Sequence, residues 1–298
     1  MKSIKTPIRY AGGKTKAIKI ITPLLANEKK IVSPFMGGGS LEVTWASKGI
    51  EVVGYDLFGA LVNFWQVLLK DPKSLASKMS GITPDAQEFS RVKEILIKWE
   101  NTQEMLKDWR TDFYKREEAL KLDKVTAAAY YYFNHNTSYG PGYLGWPSKV
   151  YLNQPKWDKA VNAIKNFKLP SLSVFEDSFE NVIPKHNSTA LYLDPPYYLD
   201  KDSDNKMFKG IYPMRNIPIH HDGFNHELLR DLLLEHKGPF VLSYNNCETI
   251  REYYKDFEQQ FPTWSYSMGN GETRVGKNRE DAGIKNSKDS HEILIIKR

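Results

Sequence analysis

The sequence predicts an α/β fold, built on a mostly parallel sheet with helices on both faces, and three observations indicate it. Short apolar segments typical of buried strands alternate with helical patterns. A glycine-rich turn at 37–39 joins the first strand to a helix. A long charge-rich segment at 71–168 interrupts the alternation. We interpret it as a helical insertion into a domain whose functional sites lie at the carboxyl ends of its strands.

The elements that support this fold follow in order along the chain. Helical patterns begin after a glycine turn at 10–14, at Ser40 and near Leu57. Strands are predicted at 30–35, 51–55, 171–175, 189–193, 239–244 and 291–296. We therefore expect one discontinuous domain formed by 1–70 and 169–298, and a mainly helical domain formed by 71–168.

Composition limits the classes of protein to which the chain can belong. The 298 residues are 41% hydrophobic and 26% charged, as in globular proteins. We find neither the run of about 20 apolar residues that a membrane helix needs nor a signal peptide, so we expect a cytoplasmic protein without a membrane partner. The single cysteine, Cys247, excludes an internal disulfide and a cysteine zinc cluster, and we expect no metal. The net charge of +6 is compatible with nucleic-acid binding.

The first candidate site is the segment Phe35-Met36-Gly37-Gly38-Gly39-Ser40. Glycines let the backbone approach a ligand closely, and the helix that they open favours negative charge at its N-terminus. Asp56 follows Gly39 by 17 residues and ends the second strand, where an acid can bind both ribose hydroxyls of an adenosine cofactor. A tight turn and a helix N-cap are the structural alternatives. Together the two features favour an adenosine-type cofactor, either NAD or S-adenosylmethionine.

The second candidate site is Asp194-Pro195-Pro196-Tyr197, directly after an apolar strand. Two prolines fix the backbone and remove two donors, so the loop can present the Asp194 carboxylate and the Pro195 carbonyl as acceptors. Two such acceptors suit an aromatic amine such as N6 of adenine, whose lone pair is delocalised into the ring. Two acceptors on the N6 hydrogens would localise that pair and stabilise the positive charge that develops during methylation. Tyr197 offers a ring for stacking, whereas a surface turn is the structural alternative.

With these motifs the chain resembles the D12 class, or alpha group, of adenine-N6 DNA methyltransferases, the family of bacterial and phage Dam enzymes. Three motifs in family order carry the resemblance: Tyr10-Ala11-Gly12-Gly13-Lys14, Phe35-Met36-Gly37-Gly38-Gly39 and Asp194-Pro195-Pro196-Tyr197. The resemblance implies a Rossmann-like class I methyltransferase sheet with an inserted target-recognition domain at 71–168. It also implies S-adenosyl-L-methionine as methyl donor, S-adenosyl-L-homocysteine as product, and double-stranded DNA whose target adenine is flipped out.

The resemblance assigns roles to individual residues. The expected catalytic residues are Asp194, Pro195, Pro196 and Tyr197. The expected cofactor contacts are Tyr10, Ala11, Gly12, Lys14, Phe35, Gly37, Gly39, Ser40, Asp56, Asp177, Phe179 and Asp194. For Lys14 the alternative is an ordinary surface lysine.

Contacts to DNA are expected from polar loops. A loop predicted at 134–147 carries side chains that can bond base edges, namely Asn134, Asn136, Ser138 and Tyr139. Lys209 and Arg215 belong to a second polar segment at 201–223, and 269–289 is a third. The aromatic run at 130–133 is interpreted instead as helix core, and His135 as a hydrogen-bonded loop residue.

Other functions stay open on the sequence alone. Cytosine-C5 methylation needs a Pro-Cys nucleophile, which Asn246-Cys247 does not provide, and cytosine-N4 methylation usually has Ser in place of Asp194. RNA or protein-glutamine methylation, a catalytically inactive DNA-binding protein and an NAD oxidoreductase are further alternatives, of which the last leaves the Pro-Pro loop unexplained. We expect a monomer or weak dimer, working alone or beside a cognate restriction endonuclease.

Overall fold

The structure is a computed structural model that describes residues 4–10, 12–107, 120–139, 142–198, 223–263, 265–266, 288–289 and 292–298. The chain divides into two compact units. The first comprises Met1–Thr6, Tyr10–Val62 and Leu169–Arg298, and the second comprises Pro7–Arg9 and Asn63–Lys168. We expected the insertion to begin at 71, whereas the units divide at 63, inside a continuous helix.

A seven-stranded sheet forms the centre of the first unit. The strands of the described chain are β1 (Lys30–Ser33), β2 (Glu51–Asp56), β3 (Leu172–Glu176), β4 (Ala190–Leu193), β5 (Phe240–Asn245), β6 (Glu258–Gln260), β7 (Ser265–Tyr266), β8 (Lys288–Asp289) and β9 (Glu292–Lys297). The sheet has the order β3-β2-β1-β4-β5-β9-β6, and β7 pairs with β8 separately. Strands β1 to β5 run parallel, whereas β9 is antiparallel to both β5 and β6. The predicted α/β class with a mostly parallel sheet is confirmed.

The strand order brings distant parts of the chain to one edge of the sheet. β1 pairs with β2 on one side and with β4 on the other, so the direction in which the sheet grows changes there. Ligands of such sheets bind in the crevice outside the carboxyl ends of the strands at this point. Because β9 is reversed, its first residue lies at the same edge, where Glu292 pairs with Asn245 of β5.

Helices pack against the sheet and form the second unit. In chain order they are α1 (Ile18–Ile21), α2 (Ser40–Ser47), α3 (Gly59–Lys70), α4 (Pro72–Ser80), α5 (Ala86–Lys107), α6 (Lys124–Thr137), α7 (Gln154–Lys165), α8 (Phe179–Lys185), α9 (His226–Glu235) and α10 (Glu248–Tyr253), with 3₁₀ turns at Lys14–Lys16 and Thr22–Leu25. β4 and β5 are buried along their whole length, as expected for central strands covered on both faces. Leu191 and Leu242 of these strands share one hydrophobic cluster with Val182 of α8 and Leu229 of α9.

The second unit has its own aromatic core. Its helices α4, α6 and α7 each begin at a side-chain cap that accepts a backbone N–H, as helix N-termini require. Tyr132 stacks on Phe64 at 5.2 Å between ring centroids, and Phe133 meets Trp157 edge-on at 5.1 Å. The aromatic run is therefore helix core as predicted, with only Tyr130 partly exposed.

Two further findings concern the helices. The prediction of a loop at 134–147 is wrong for its first four residues, because 134–137 form the last turn of α6. Within the described part of the chain, no helix combines the length and the apolar character needed to cross a bilayer.

Candidate active site

The glycine loop that follows β1 is shaped by a tyrosine from the N-terminal segment. A Cβ atom added to Gly38 would lie 2.4 Å from the Cβ of Tyr10, so no side chain fits at this position. Gly39 adopts a left-handed conformation with φ of 62° and begins α2, which few residues other than glycine do without strain. Tyr10 thus packs on the loop, and the loop leads directly into the N-terminus of a buried helix.

Asp56, at the carboxyl end of β2, holds the same loop. Its Oδ2 accepts a hydrogen bond from the Gly37 N–H at 2.9 Å, and its Oδ1 accepts one from the Phe58 N–H at 3.0 Å. The second bond lies just before α3, but Asp56 is not the N-cap of that helix, because the Phe58 carbonyl accepts its first intrahelical hydrogen bond, from the Val62 N–H. Asp56 therefore fixes both the glycine loop and the backbone that leads into α3.

Lys14 connects the N-terminal motif to the loop after β4. Its ammonium donates to Asp194 Oδ1 at 2.7 Å and to Oδ2 at 2.9 Å, and it also lies 3.3 Å from the Gly12 carbonyl oxygen. The Lys14 side chain is only 4% exposed, so the alternative of an ordinary surface lysine is wrong. The two motifs, 180 residues apart in sequence, therefore meet as one ion pair, in which Lys14 is buried and Asp194 is 23% exposed.

Tyr197 is held at its hydroxyl group. The hydroxyl donates to Glu292 Oε1 and accepts from the Lys14 ammonium at 3.3 Å. Glu292 is 3% exposed and also accepts from the Ser243 hydroxyl at 3.1 Å. The Lys14 nitrogen lies 3.9 Å from Glu292, so it stands between two carboxylates.

Two carboxyl groups of the site, those of Asp194 and Glu42, have raised pKa values. Burial raises the pKa of Asp194 to about 6; the charge of Glu292 adds to this rise, and the Lys14 ammonium opposes it. Burial also raises the pKa of Glu42 to about 7, although hydrogen bonds from backbone N–H groups and from Ser33 oppose the rise. The Ser33 hydroxyl donates to Glu42 at 2.7 Å. Such shifts are typical of sites where proton transfer or charge stabilisation occurs.

The residue after the catalytic motif is fixed by a side-chain amide. Asn245, at the end of β5, accepts from the Tyr198 N–H at 2.9 Å and donates to the Tyr198 carbonyl oxygen at 2.9 Å. Asn245 is 7% exposed. These two hydrogen bonds attach the loop that follows Asp194 to the end of β5.

Three phenylalanines gather around the glycine loop and the end of β3. Phe179 lies 5.7 Å from Phe35 and 5.0 Å from Phe224, and Phe35 lies 5.8 Å from Phe224, between ring centroids. Nearby, the Asp177 carboxylate accepts from the Ser178 N–H and from Asn181, and the Asn181 bond lowers the pKa of Asp177 most. The structure thus brings Phe35, Phe179 and Asp177 to the same edge as the glycine loop.

The side chains expected to contact DNA in the second unit have different surroundings from those predicted. Asn134 and Ser138 are fully buried, and Asn136 is 8% exposed. Asn134 accepts from the Leu144 N–H, Asn136 from the Arg9 N–H, and the Ser138 hydroxyl donates to the Asn134 carbonyl. In this conformation these three residues close the end of α6 and do not reach the surface, a correction to the predicted loop. Tyr139 is 49% exposed.

The remaining predicted residues are placed as follows. Gly12 adopts a φ of +73°. Ser40 lies in the first turn of α2, and its hydroxyl oxygen is 3.2 Å from the hydroxyl oxygen of Thr15. Ala11, Lys209 and Arg215 lie outside the described residues, as do nearly all of the segments 201–223 and 269–289.

Sequence reasoning missed four residues of this edge: Glu292, Asn245, Glu42 and Phe224. Three of them share a signal, because each is a polar residue bordering or interrupting an apolar element: Glu292 heads Ile-Leu-Ile-Ile, Asn245 ends β5, and Glu42 lies within buried α2. Polar groups at such places need partners, so this pattern marks candidates for a buried network.

Comparison with known proteins agrees with this geometry. The chain is 23% identical over 312 residues to the modification methylase StsI of Streptococcus sanguinis, and the match covers 99% of this chain. It spans 43% of the length of that relative. A family model described as D12 class N6 adenine-specific DNA methyltransferase matches residues 10–268, which include all three motifs. The chain therefore belongs to the D12 class N6 adenine-specific DNA methyltransferase family.

Proposed function

We propose that this protein transfers a methyl group from S-adenosyl-L-methionine to N6 of an adenine flipped out of double-stranded DNA, and releases S-adenosyl-L-homocysteine. The observation that carries the proposal is the meeting of Lys14 and Asp194. It joins the N-terminal motif to the catalytic motif at the carboxyl edge of the sheet, beside the glycine loop. Membership of the family supports the reaction type.

Asp194 has the properties that an acceptor for an aromatic amine needs. Each oxygen already accepts from Lys14, and each keeps a second lone pair for an N6 hydrogen. Because the pKa of Asp194 is about 6, the group is ionised at neutral pH but can take the proton that N6 loses when it gains a methyl group. The carboxylate also stabilises the positive charge that develops on N6.

The residues around the glycine loop fit the methyl donor. A bound S-adenosyl-L-methionine would supply a methyl group activated by a positively charged sulfur. A Cβ at Gly12 would meet nothing within 4 Å, so this part of the turn faces open space. Asp56 places its carboxylate at the glycine loop, where ribose hydroxyls would bind it, and the phenylalanine cluster of Phe35, Phe179 and Phe224 offers apolar rings to an adenine.

The second unit carries a surface suited to DNA. Trp146 is 78% exposed, and its carbonyl accepts from the Tyr139 N–H at 2.7 Å. The Lys93 ammonium lies 5.3 Å from the Trp146 ring centroid and donates to the Gly145 carbonyl. Exposed aromatic rings beside cations can stack on bases and neutralise phosphates. We therefore assign target recognition to this unit, with Tyr139 and Trp146 as its contacts.

The relative's name supports a proposal for the biological role. StsI is called a modification methylase, and we infer that this chain likewise modifies DNA beside a cognate restriction endonuclease. Sequencing that maps methylated adenines in a host expressing the protein would identify the target site. Methylation spread over adenines without a common site would contradict this role.

A direct assay tests the proposed reaction. The protein is incubated with a labelled methyl donor and a mixed-sequence duplex, which is then digested to nucleosides. Label is expected in N6-methyldeoxyadenosine. Label found solely in methylcytosine, in RNA or in protein would exclude the proposed reaction.

Two matched variants test the role of Asp194. Asp194→Ala should lower the transfer rate by at least about 100-fold and leave DNA binding intact, because it removes a charged acceptor from the reacting amine. Asp231→Ala removes an exposed carboxylate of α9, paired with Arg230, and should leave transfer unchanged. Near-normal turnover of Asp194→Ala would refute the assignment.

A further inference from the structure

Glu292 is a buried acid that the fold of the sheet does not require. The residues that follow it in β9 are apolar and buried, from Ile293 to Ile296. An acid at 3% exposure loses its hydration, and this cost is offset only when ion pairs and hydrogen bonds replace the water. An apolar residue would suit this position in a purely structural strand.

The partners of Glu292 belong to the proposed site. Its Oε1 accepts from the Tyr197 hydroxyl and lies 3.9 Å from the Lys14 nitrogen. Its Oε2 accepts from Ser243, a neighbour two positions before Asn245 on β5. Glu292 therefore contacts the catalytic motif on one side and the sheet on the other.

The charges at this place are unequal. Lys14 carries one positive charge, whereas Asp194 and Glu292 are two carboxylates. If Lys14 had Asp194 as its sole carboxylate partner, the pair would be neutral. Two acidic side chains beside one ammonium favour a cationic methyl donor and a developing positive charge on N6.

We propose that Glu292 is a positioning residue for methyl transfer, which fixes the Tyr197 ring through its hydroxyl and shares the Lys14 ammonium with Asp194. This inference rests on the proposed function. Four described groups set the charge around Asp194: Lys14 from the 3₁₀ turn, Glu292 from β9, Glu42 from α2 and Tyr197 from its own loop. Among them, Glu292 is the one that holds both Tyr197 and Lys14.

The test compares Glu292→Gln with a matched control. The amide retains an oxygen for the Tyr197 hydroxyl but loses the charge, and we expect kcat to fall about 10- to 100-fold while KM for DNA changes less than about threefold. The acidic limb of the kcat profile should move to lower pH, because the charge of Glu292 raises the pKa of Asp194. Ser243→Ala removes a hydroxyl bonded to Glu292 but not its charge, and should leave that limb in place.

A second measurement needs no turnover. The ¹³C carboxyl resonance of Asp194, identified by its loss in Asp194→Asn, is titrated in the wild-type protein and in Glu292→Gln. A midpoint at lower pH in the variant is expected. An unchanged midpoint, together with an unchanged pH profile, would overturn the inference, even if the variant is less active and less stable to heat than the wild-type protein.

The outcomes separate the two proposals. If the wild-type protein methylates adenine and Glu292→Gln matches it in kcat and pH profile, the role of Glu292 is refuted and the proposed function stands. If the wild-type protein methylates no adenine, the proposed function fails, and the Asp194 titration still decides the charge coupling. Should Glu292→Gln not fold, Glu292→Asp keeps the charge but draws it back from Tyr197, and a kcat equal to that of the wild-type protein in that variant would refute the inference.

Discussion

Replacing Glu42 by Gln tests how much stability the protein loses by burying acids at this edge of the sheet. Glu42 is 3% exposed in the first turn of α2, and its pKa is raised from 4.5 to about 7, chiefly by burial. Since the folded state binds the proton more tightly than the unfolded state, the contribution of Glu42 is most favourable below pH 4.5 and is lost as the pH rises through about 7. At about 1.4 kcal/mol for each pKa unit, the loss amounts to about 3 kcal/mol.

The Gln variant should lack this pH dependence. Its side-chain oxygen can still accept from Ser33, and any cost of burying the amide group is independent of pH. The free energy of unfolding is measured with urea for both proteins between pH 4.5 and 8. The difference between Glu42→Gln and the wild-type protein should shift by about 3 kcal/mol in favour of the variant as the pH rises across this range.

The control is Glu252→Gln, which neutralises an exposed acid of α10 whose side chain is 68% exposed. Its stability curve should run parallel to that of the wild-type protein. If the curve of Glu42→Gln is parallel as well, Glu42 is not a buried acid with a raised pKa, and the reasoning is refuted.

The other predictions concern binding and turnover. Trp146→Ala should weaken DNA binding by about 1–3 kcal/mol in a salt-titrated binding assay, whereas Phe261→Ala, which removes a 55% exposed ring from the first unit, should not; equal losses would contradict the proposed surface. Asp56→Asn should raise the dissociation constant of the methyl donor in calorimetry by about 10-fold, more than that of DNA, because hydrogen bonds to a charged group contribute about 1.5–3 kcal/mol; the reverse pattern would argue against a ribose contact. Asn245→Ala should lower kcat about 10-fold or more by loosening the loop of Asp194, with little effect on donor affinity; an unchanged kcat in steady-state kinetics would exclude that role. The wild-type kcat/KM should fall below pH about 6, where Asp194 becomes protonated and can no longer accept; a rate constant flat from pH 5 to 8 would oppose this.

Much of the sheet could be predicted because its strands have a simple cause. Segments such as Ala190–Leu193 are apolar throughout, as strands buried on both faces must be, and they stand out from the amphipathic helices between them. The glycine loop and the Asp-Pro-Pro-Tyr motif could also be located, because glycine and proline have strong local effects on the backbone. That Lys14 lies against Asp194 was not predicted, since a contact across 180 residues depends on strand order rather than on local sequence.

The predictions for the second unit were less accurate for a physical reason. Asparagine is common in loops, and the polarity of Asn134 and Asn136 suggested a surface that could form hydrogen bonds with bases. In the structure the same amides accept from the backbone N–H groups of Leu144 and Arg9, which is another common use of a polar side chain. Residue type alone cannot separate these two uses, because both satisfy the same hydrogen-bonding groups.

The antiparallel pairing of β9 with β5 affects how well the protein tolerates insertions near this strand. Side chains alternate between the two faces of a strand, so a shift of β9 by one residue against β5 would move Glu292 to the opposite face and bring an isoleucine or a histidine towards Tyr197. The ladder of six pairs with β5 and three with β6 opposes such a shift. Insertions close to the start of β9 should therefore be selected against more strongly than insertions of equal length between other strands, since here the hydrogen-bond register itself specifies which side chain completes the site.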